Sequence, residues 1–387
     1  MGAIAMSNTR RGFLKRLAVG MSALPFKPRS RVARAESVES PALYHSEGPL
    51  VASVRTLGVQ FLDNPLNVTG QDGATSVQLP GGDALWIFGD TIEGQFESIR
   101  NYDLTDVLSN SAAVVPRQDV SKGIKQFRYV TTDDGKRVRQ IIPFDADESS
   151  AIHRLWAIHG ICVEDQIYSF YHKIIMDPER DVFETFTLNG MGLARARIGE
   201  FQFQRLKAPD GTKEFWKSDQ PGYGVFLEQL SDGFIYLWGC FWTGMFLART
   251  RPETIEDLSS YEYLVQAPTL ERPMTEPRWD SRYCSTAALF DSVPNEMSAS
   301  YNPHLKKHLA IHVHNRENKL VIRTAPRITG PWSEAEVFFR PQMIKDNDLF
   351  TAGKEHPELR RAGGKTLYVT YVNSSVYAPH LLEVTLA

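Results

Sequence analysis

Short apolar stretches alternate with turn residues along most of this chain, in the pattern of β-hairpins. Five such units recur at uneven intervals of roughly 60–80 residues. They are Thr75–Phe88, Arg154–Ile174, Tyr223–Thr250, Ser298–Thr324 and Glu358–Asn373, with a closing strand at Leu381–Leu386. Only Pro252–Leu258 and Pro341–Asp346 resemble helical turns. A β-sandwich would need fewer strands, and an α/β fold would need helical periodicity between them. The pattern therefore predicts an all-β fold, a five-bladed β-propeller.

The first hairpin carries an aspartate at each of its free ends. The predicted strands Thr75–Leu79 and Ala84–Phe88 flank the turn sequence Pro80–Asp83, and Asp72 precedes the first strand while Asp90 follows the second. A hairpin brings its free ends together, and paired carboxylates are the groups that cleave many glycosidic bonds. In a propeller this end of the hairpin would lie at a central pocket. The alternative is that both aspartates only form turns.

The predicted register of this hairpin aims the two carboxylates apart. A four-residue turn sets Asp72 opposite Thr91 instead of Asp90, and side chains one position out of step point to opposite faces of a sheet. Both can face one pocket only if the strand ends bulge or the turn differs by one residue. Gly73 and Gly89 each adjoin an aspartate and would make such an irregularity easy.

Charge and composition narrow the possible partners. The 387 residues include 43 Lys and Arg against 46 Asp and Glu, a net charge of −3, so no nucleic-acid partner is expected. Aromatic residues make up 11%, which suits both a β core and a sugar-binding surface. Cys162, Cys240 and Cys284 form no disulfide framework and no metal-ligand spacing. His312 and His314 alternate on one predicted strand and are interpreted as facing solvent, so no metal or other cofactor is predicted.

The first 35 residues have the pattern of an export signal. Thr9–Lys15 (TRRGFLK) closely matches the twin-arginine motif, the mildly apolar Leu17–Phe26 follows, and Ala33–Ala35 fits a cleavage site. The apolar stretch is too short to anchor the protein in a bilayer. We predict export by the twin-arginine translocase to the periplasm or medium, without membrane insertion. A polar linker at 36–50 and the propeller at 51–387 would follow. A basic, disordered N-terminus is the alternative.

Several motifs resemble those of the DUF4185 family, in family order from about residue 55 to the C-terminus. They are Gly70–Ser76 (GQDGATS), Leu85–Thr91 (LWIFGDT), Ser298–Pro303 (SASYNP), Arg323–Pro326 (RTAP) with Gly330–Ser333 (GPWS), and His356–Leu359 (HPEL). The resemblance implies a five-bladed propeller related to furanosidase-type glycoside hydrolases. It also implies an endo-D-arabinanase activity, with Asp72 as general base and Asp90 as general acid.

Five further residues are candidates for substrate binding. Glu296 would be a third carboxylate that tunes the acid or binds hydroxyls, or else a solvated loop residue. Asn110 would hold a sugar hydroxyl or form a turn, and Trp242 and Tyr301 would stack on a sugar or pack in the core. His356 would lie in the central channel, where propellers related to the family often hold water or a cation, or would be structural.

Two other classes of function remain open from the sequence. A propeller that binds carbohydrate without cleaving it would keep the fold and lose turnover, and an exported scaffold would have no sugar site at all. Hydrolysis of another furanoside, such as fructan or L-arabinan, is a third possibility. The substrate expected in each catalytic case is a polysaccharide or oligosaccharide.

Overall fold

The computed structural model describes residues 43–44, 46–95, 107–177, 179–180, 185–283 and 288–387. The predicted export signal, the start of the predicted linker and Cys284 lie outside the described residues. Within these ranges, no helix combines the length and the apolar content needed to cross a membrane.

The described residues form strands connected by loops and a few short 3-10 turns. In chain order the strands begin with β1 (Leu43–Tyr44), β2 (Val51–Val59), β3 (Val68–Gln71), β4 (Thr75–Gln78), β5 (Ala84–Phe88), β6 (Thr91–Glu93), β7 (Ser111–Val115) and β8 (Arg128–Tyr129). There follow β9 (His153–Val163), β10 (Gln166–Met176), β11 (Phe186–Arg197), β12 (Gln204–Arg205), β13 (Trp216–Lys217), β14 (Gly222–Gln229), β15 (Ile235–Phe241), β16 (Gly244–Thr250), β17 (Glu262–Gln266) and β18 (Arg278–Asp280). The last are β19 (Met297–Asn302), β20 (Lys307–Val313), β21 (Leu320–Ala325), β22 (Glu336–Phe339), β23 (Phe350–Glu355), β24 (Thr366–Asn373) and β25 (Pro379–Leu386). The 3-10 turns are Pro252–Thr254, Leu258–Ser260, Pro357–Leu359 and Ala362–Gly364.

The strands form the five antiparallel blades of a propeller, as predicted. Blade one is β4-β5-β7-β8, extended at one end by the ribbon β3-β6. Blade two is β9 to β12 with β13 also on β11, blade three is β14 to β18, and blade four is β19 to β22. Blade five is β23-β24-β25-β2-β1, so strands from both ends of the described chain complete one sheet. This shared sheet closes the ring.

The innermost strand of each blade lies at the propeller axis. Successive innermost strands pack against one another, from β4 to β9, β14, β19 and β23. The Lys354 ammonium group, on β23, donates to the Thr75 hydroxyl on β4 at 2.8 Å and so bridges the last blade to the first. The beginnings of these five strands therefore meet at one end of the axis and their ends at the other.

The core is divided into apolar clusters between neighbouring blades, and the sequence of β5 shows why. Leu85 and Ile87 pack with blade two, whereas Ala84, Trp86 and Phe88 pack against blade five residues such as Tyr368 and Leu381. All five residues of β5 are buried. A strand between two blades has apolar neighbours on both faces, so its sequence is continuously apolar instead of alternating.

The first four predicted hairpins are confirmed, with small changes at their ends. The second hairpin, for example, consists of two eleven-residue strands, β9 and β10. The fifth, Glu358–Asn373, is wrong in its first strand: Leu359 lies in the 3-10 turn Pro357–Leu359, and β24 pairs with β23 instead. Pro357 has no N–H for strand pairing, so the strand before it ends at Glu355.

The Pro252–Leu258 segment contains a 3-10 turn at Pro252–Thr254, but Pro341–Asp346 forms no helix. Proline at the start of a segment is compatible with a bend as well as with a first helical turn, and here the bend is what forms.

Candidate active site

The turn of the first hairpin is one residue longer than the sequence suggested. β4 ends at Gln78, which pairs with Ala84. The Leu79 N–H donates to the Asp83 carbonyl at 2.8 Å, and the Gly82 N–H donates to the Leu79 carbonyl at 3.1 Å. Leu79 therefore belongs to the loop and not to the strand, which corrects the predicted turn.

This one-residue change brings the two aspartates into register. Gln71 pairs with Thr91, and next to this pair the Asp72 N–H donates to the Asp90 carbonyl at 3.2 Å. The Gly89 N–H, instead of that of Asp90, returns a bond to the Asp72 carbonyl at 3.1 Å. Asp72 thus lies directly opposite Asp90, and the ladder is locally irregular, as the flanking glycines suggested.

Both glycines beside the aspartates are needed for this geometry. Gly73 has φ +77°, and a Cβ added to it would lie 2.8 Å from the Gly89 nitrogen. A Cβ on Gly89 would lie 2.5 Å from the Asp72 Oδ1. A larger residue at position 73 would push against the Gly89 backbone, and one at position 89 would displace the Asp72 carboxylate.

Asp90 is almost fully buried, at 4% exposure, against blade two. The Trp156 indole N–H donates to its Oδ1 at 2.9 Å, and the Arg154 Nε lies 3.8 Å from the same oxygen. Burial raises the pKa of Asp90 to about 6, although Arg154 and Trp156 favour its ionised form. A carboxyl group with this pKa exchanges its proton readily near neutral pH.

Asp72 is partly exposed and faces blade five. The Tyr377 hydroxyl donates to its Oδ2 at 2.9 Å. Desolvation raises the pKa of Asp72 well above its usual range, and the charges of Asp90 and Glu296 add to this effect, while Tyr377 and Lys354 oppose it. Two such neighbouring carboxyls titrate as a pair and share protons.

Glu296 lies at the same end of the axis, immediately before β19. Its Oε2 accepts a 2.5 Å bond from the Lys354 ammonium group, which is itself buried. Arg316, in the turn between β20 and β21, is half-buried and interacts electrostatically with Glu296 and Asp72. The predicted third carboxylate is therefore beside the pair, and a lysine of the protein neutralises it.

Trp242 is exposed at this same end. It occupies the turn between β15 and β16, next to the pairing of Cys240 with Gly222 at the start of β14. Its side chain is 48% exposed. Its predicted contact with sugar stays a prediction, and its placement is compatible with one.

The structure decides four other sequence interpretations, and for His356 it supports the structural alternative. Asn110 is fully buried and its amide bonds to the backbone of Ile142 and Leu155, so no part of it is left for a sugar hydroxyl. His356 is fully buried, stacks on Trp86 and bonds to the hydroxyls of Ser76 and Thr370.

The other two of these interpretations concern Tyr301 and His312. Tyr301 is exposed near the far end of β19, remote from the start of this strand where Glu296 lies. His312 does not face solvent: it is fully buried and its ring stacks on Phe290. The alternation that suggested an exposed face fails because β20 lies between two packed blades.

Sequence reasoning missed the residues that hold the pair. Arg154 and Trp156 come from β9, Lys354 from β23 and Tyr377 from the turn after β24. Each comes from a blade other than that of the aspartates. The one local signal was the presence of a charged residue, Arg154, near the start of a largely apolar strand.

No group of three or more His, Cys, Asp or Glu side chains in the described part of the chain has an arrangement that could hold a metal ion. At the axis, the positive charge beside Thr75 and Glu296 is the Lys354 ammonium group.

The fold and site together define a five-bladed propeller with a carboxylate pair at one end of its axis. The chain belongs to the family described as "Domain of unknown function (DUF4185)", whose model matches residues 60–383. No curated protein sequence matches it.

Solved structures share the architecture at low sequence identity. A Bacteroides ovatus protein named only as a candidate hydrolase is 17% identical, with a TM-score of 0.61, over 92% of this chain and 96% of that chain. The RS223 β-xylosidase is 13% identical, with a TM-score of 0.47, over 82% and 92% of the two chains. A GH43_1 enzyme from Xanthomonas citri is 10% identical, with a TM-score of 0.48, over 84% and 90%. At 17% identity the likeness to the Bacteroides ovatus protein concerns the fold alone.

Proposed function

We propose that this protein is a glycoside hydrolase in which Asp72 and Asp90 are the catalytic carboxyl groups. The observation that carries the proposal is their direct pairing across the hairpin, in surroundings that raise the pKa of both. Glycosidic cleavage needs one carboxyl that holds a proton and one that is ionised at the same pH. Buried, interacting carboxyls satisfy this requirement because one proton on the pair is favoured over none or two.

Cleavage needs one carboxyl that protonates the leaving group and one that acts at the anomeric carbon. The protonated carboxyl donates to the glycosidic oxygen as its bond to the anomeric carbon breaks. In an inverting route the ionised carboxyl takes a proton from the water that attacks the anomeric carbon. In a retaining route it attacks the anomeric carbon itself, and water then hydrolyses the resulting ester after giving a proton to the carboxyl that had protonated the leaving group.

We propose a furanoside-containing glycan of the D-arabinan type as the substrate. The family motifs around both aspartates support this choice, and the naming of the Bacteroides ovatus protein as a candidate hydrolase agrees with hydrolysis in general. Trp242 would offer an aromatic face to a sugar ring at the same end of the axis. The twin-arginine motif supports export to the periplasm or medium, where such a glycan would be met.

A glycan panel tests the proposal. Purified protein is incubated with D-arabinan, L-arabinan and fructan, and reducing ends are measured with detection of the product anomer. We expect release from one furanoside, reduced about 10²-fold or more by Asp72→Asn and by Asp90→Asn. Asp83→Asn is the matched control, because Asp83 lies in the same hairpin at its opposite end and accepts from the Arg117 N–H.

Each outcome of this panel has a clear meaning. Near-wild-type turnover in either site variant would overturn the assignment. Glycan binding without release of reducing ends would identify a non-catalytic carbohydrate-binding propeller instead. Cleavage of L-arabinan or fructan alone would keep the chemistry and change the substrate.

The roles of the two carboxyls can be separated by leaving-group dependence. The family resemblance makes Asp72 the base and Asp90 the acid. In the free protein, however, Arg154 and Trp156 favour ionised Asp90, whereas Asp72 has the Tyr377 hydroxyl and the repulsion of Glu296. An alanine variant of the acid should regain turnover on an aryl glycoside whose leaving group needs no proton, and one of the base should not.

A further inference from the structure

Lys354 lies at the propeller axis, on the innermost strand of blade five. Its side chain is buried at 2% exposure, and its ammonium group donates to Thr75 at 2.8 Å and to Glu296 at 2.5 Å. The Thr75 hydroxyl in turn donates to the Ile158 carbonyl at 2.7 Å. One ammonium group therefore connects the innermost strands of blades five and one with Glu296, the residue immediately before blade four.

The backbone of β23 is irregular at this point. The pairing of β23 with β24 shifts between Thr351 and Lys354, and Ala352 has φ +55°. A left-handed conformation is uncommon for alanine and is retained where the surrounding structure requires it. Here the irregularity accompanies two adjacent buried charges, Lys354 and Glu355, that pair with different partners.

A buried ammonium group with one carboxylate partner has an electrostatic consequence for its neighbours. Glu296 adds negative charge beside Asp72, and Lys354 cancels much of it, since opposite charges at contact distance act on a third group nearly as a dipole. Removing Lys354 would leave Glu296 and Asp72 as two close carboxyls without a counter-charge at the axis.

We propose that Lys354 is a positioning residue that holds Glu296 and Thr75 in place and supplies the positive charge against which Asp72 ionises. The proposal rests on the proposed function, because it assigns Asp72 a proton to exchange. Without the Lys354 ammonium group, the carboxyl of Asp72 would hold its proton too firmly to transfer it near neutral pH.

Other charged and titratable groups also act on Asp72, and the test has to account for them. They are Asp90 from blade one, Arg154 from blade two acting on Asp90, Glu296 and Arg316 from blade four, and Tyr377 from blade five. His159 and His356 also lie near Lys354, whose charge adds to the burial that lowers the pKa of His159 to about 3 and the pKa of His356 well below its usual range. Burial is the larger cause for both, so both rings stay neutral near neutral pH without Lys354. A change in the titration of Asp72 therefore reports the lost ammonium group.

The test follows the ionisation of Asp72 directly in the full chain. The protein is labelled with aspartate carrying ¹³C in its side-chain carboxyl, and the Asp72 signal is assigned by its loss in Asp72→Asn. We expect Lys354→Met to move the titration midpoint of Asp72 upward by about one pH unit or more. Lys354→Arg, which keeps the charge, should restore most of the wild-type value.

Two further variants complete the cycle. Glu296→Gln should move the midpoint downward, and Lys354→Met with Glu296→Gln should return it close to wild type, because both charges are then absent. Lys173→Met is the matched control, since this ion-paired lysine contacts Glu148 and Glu214 instead. If Lys354→Met fails to fold, Lys354→Gln carries the same test with an amide that can still donate to Thr75.

An unchanged Asp72 midpoint in a folded Lys354→Met or Lys354→Gln variant would overturn the proposal. The readout needs no substrate, so it separates this proposal from the function: glycan cleavage could be absent while the midpoint still moves. Where cleavage is observed, the pH profile of kcat/KM should move with the Asp72 midpoint, whereas a purely structural lysine would lower activity at all pH values alike.

Discussion

Both ends of the propeller axis contain buried carboxylates, but the groups that surround these carboxylates differ. At the far end, Glu355 is fully covered and accepts two bonds from Arg360, 2.5 Å from Nε to Oε1 and 2.8 Å from Nη2 to Oε2. At the end where the innermost strands begin, Asp72 and Asp90 face each other, and the pKa of each is raised.

The difference shows that burial alone does not mark a functional carboxylate. Glu355 is compensated by a bidentate guanidinium that also bonds to the Tyr301 carbonyl, and such a pair locks strand ends together. The Arg154 Nε lies 3.8 Å from Asp90, too far for a direct hydrogen bond, and Asp72 accepts from a neutral hydroxyl. Because the charges of Asp72 and Asp90 are only partly compensated by their neighbours, these carboxyls can hold and exchange a proton.

The largest effect in this comparison is expected for breaking the far-end pair. Glu355→Gln leaves Arg360 without its charged partner in a buried position, and we expect a loss of about 3–5 kcal/mol in the free energy of unfolding. Denaturant unfolding measures it. The titration of Asp72 should not move, and a loss of less than about 1 kcal/mol would show that this pair contributes as little as an exposed one.

The second-largest effect is the pH dependence of the free energy of unfolding, which the raised pKa of Asp90 predicts. Because the folded-state pKa of Asp90, about 6, lies above its unfolded value of about 3.9, the folded state holds the proton more tightly. Its contribution to stability is therefore full below pH 4 and is lost as the pH rises through 6, by up to about 3 kcal/mol.

Unfolding free energies at pH 4 and pH 7 test this dependence. Asp90→Asn should show a smaller decrease between these pH values than the wild type. Equal decreases in both proteins would contradict the raised pKa of Asp90.

The smallest expected effect is on KM, and it concerns one exposed aromatic residue at each end of the axis. Trp242, 48% exposed, lies at the end with the aspartates, and Tyr301, 42% exposed, lies at the other. If the glycan stacks on Trp242, Trp242→Ala should raise KM by about two- to tenfold, with kcat nearly unchanged. Tyr301→Ala should leave KM unchanged, and a larger effect of Tyr301→Ala would place the glycan at the far end.

Much of the fold could be predicted from local patterns. Continuous apolar strands such as β5 and turn sequences such as Pro80–Asp83 indicated hairpins, and their repetition indicated blades. Prediction failed where two packed surfaces decide exposure, as for His312, and where a polar side chain serves the backbone, as for Asn110.

The candidate site was predicted only in part, for a similar reason. Asp72 and Asp90 are linked by one hairpin, so their proximity follows from local pairing. Lys354, Trp156 and Tyr377 reach them from other blades, and contacts between residues so distant in sequence leave no periodic pattern in the chain.

The sequence by itself determined most of the hairpins, the number of blades and the proximity of the two candidate aspartates, because these depend on side-chain alternation and turn chemistry within short segments. Only the tertiary structure decided the five-residue loop that aligns the aspartates, which end of the axis holds incompletely compensated carboxylates, and which buried polar groups are already satisfied. Hydrogen-bond register and desolvation depend on what surrounds a residue in space, and closure of the ring brings those surroundings from all five blades.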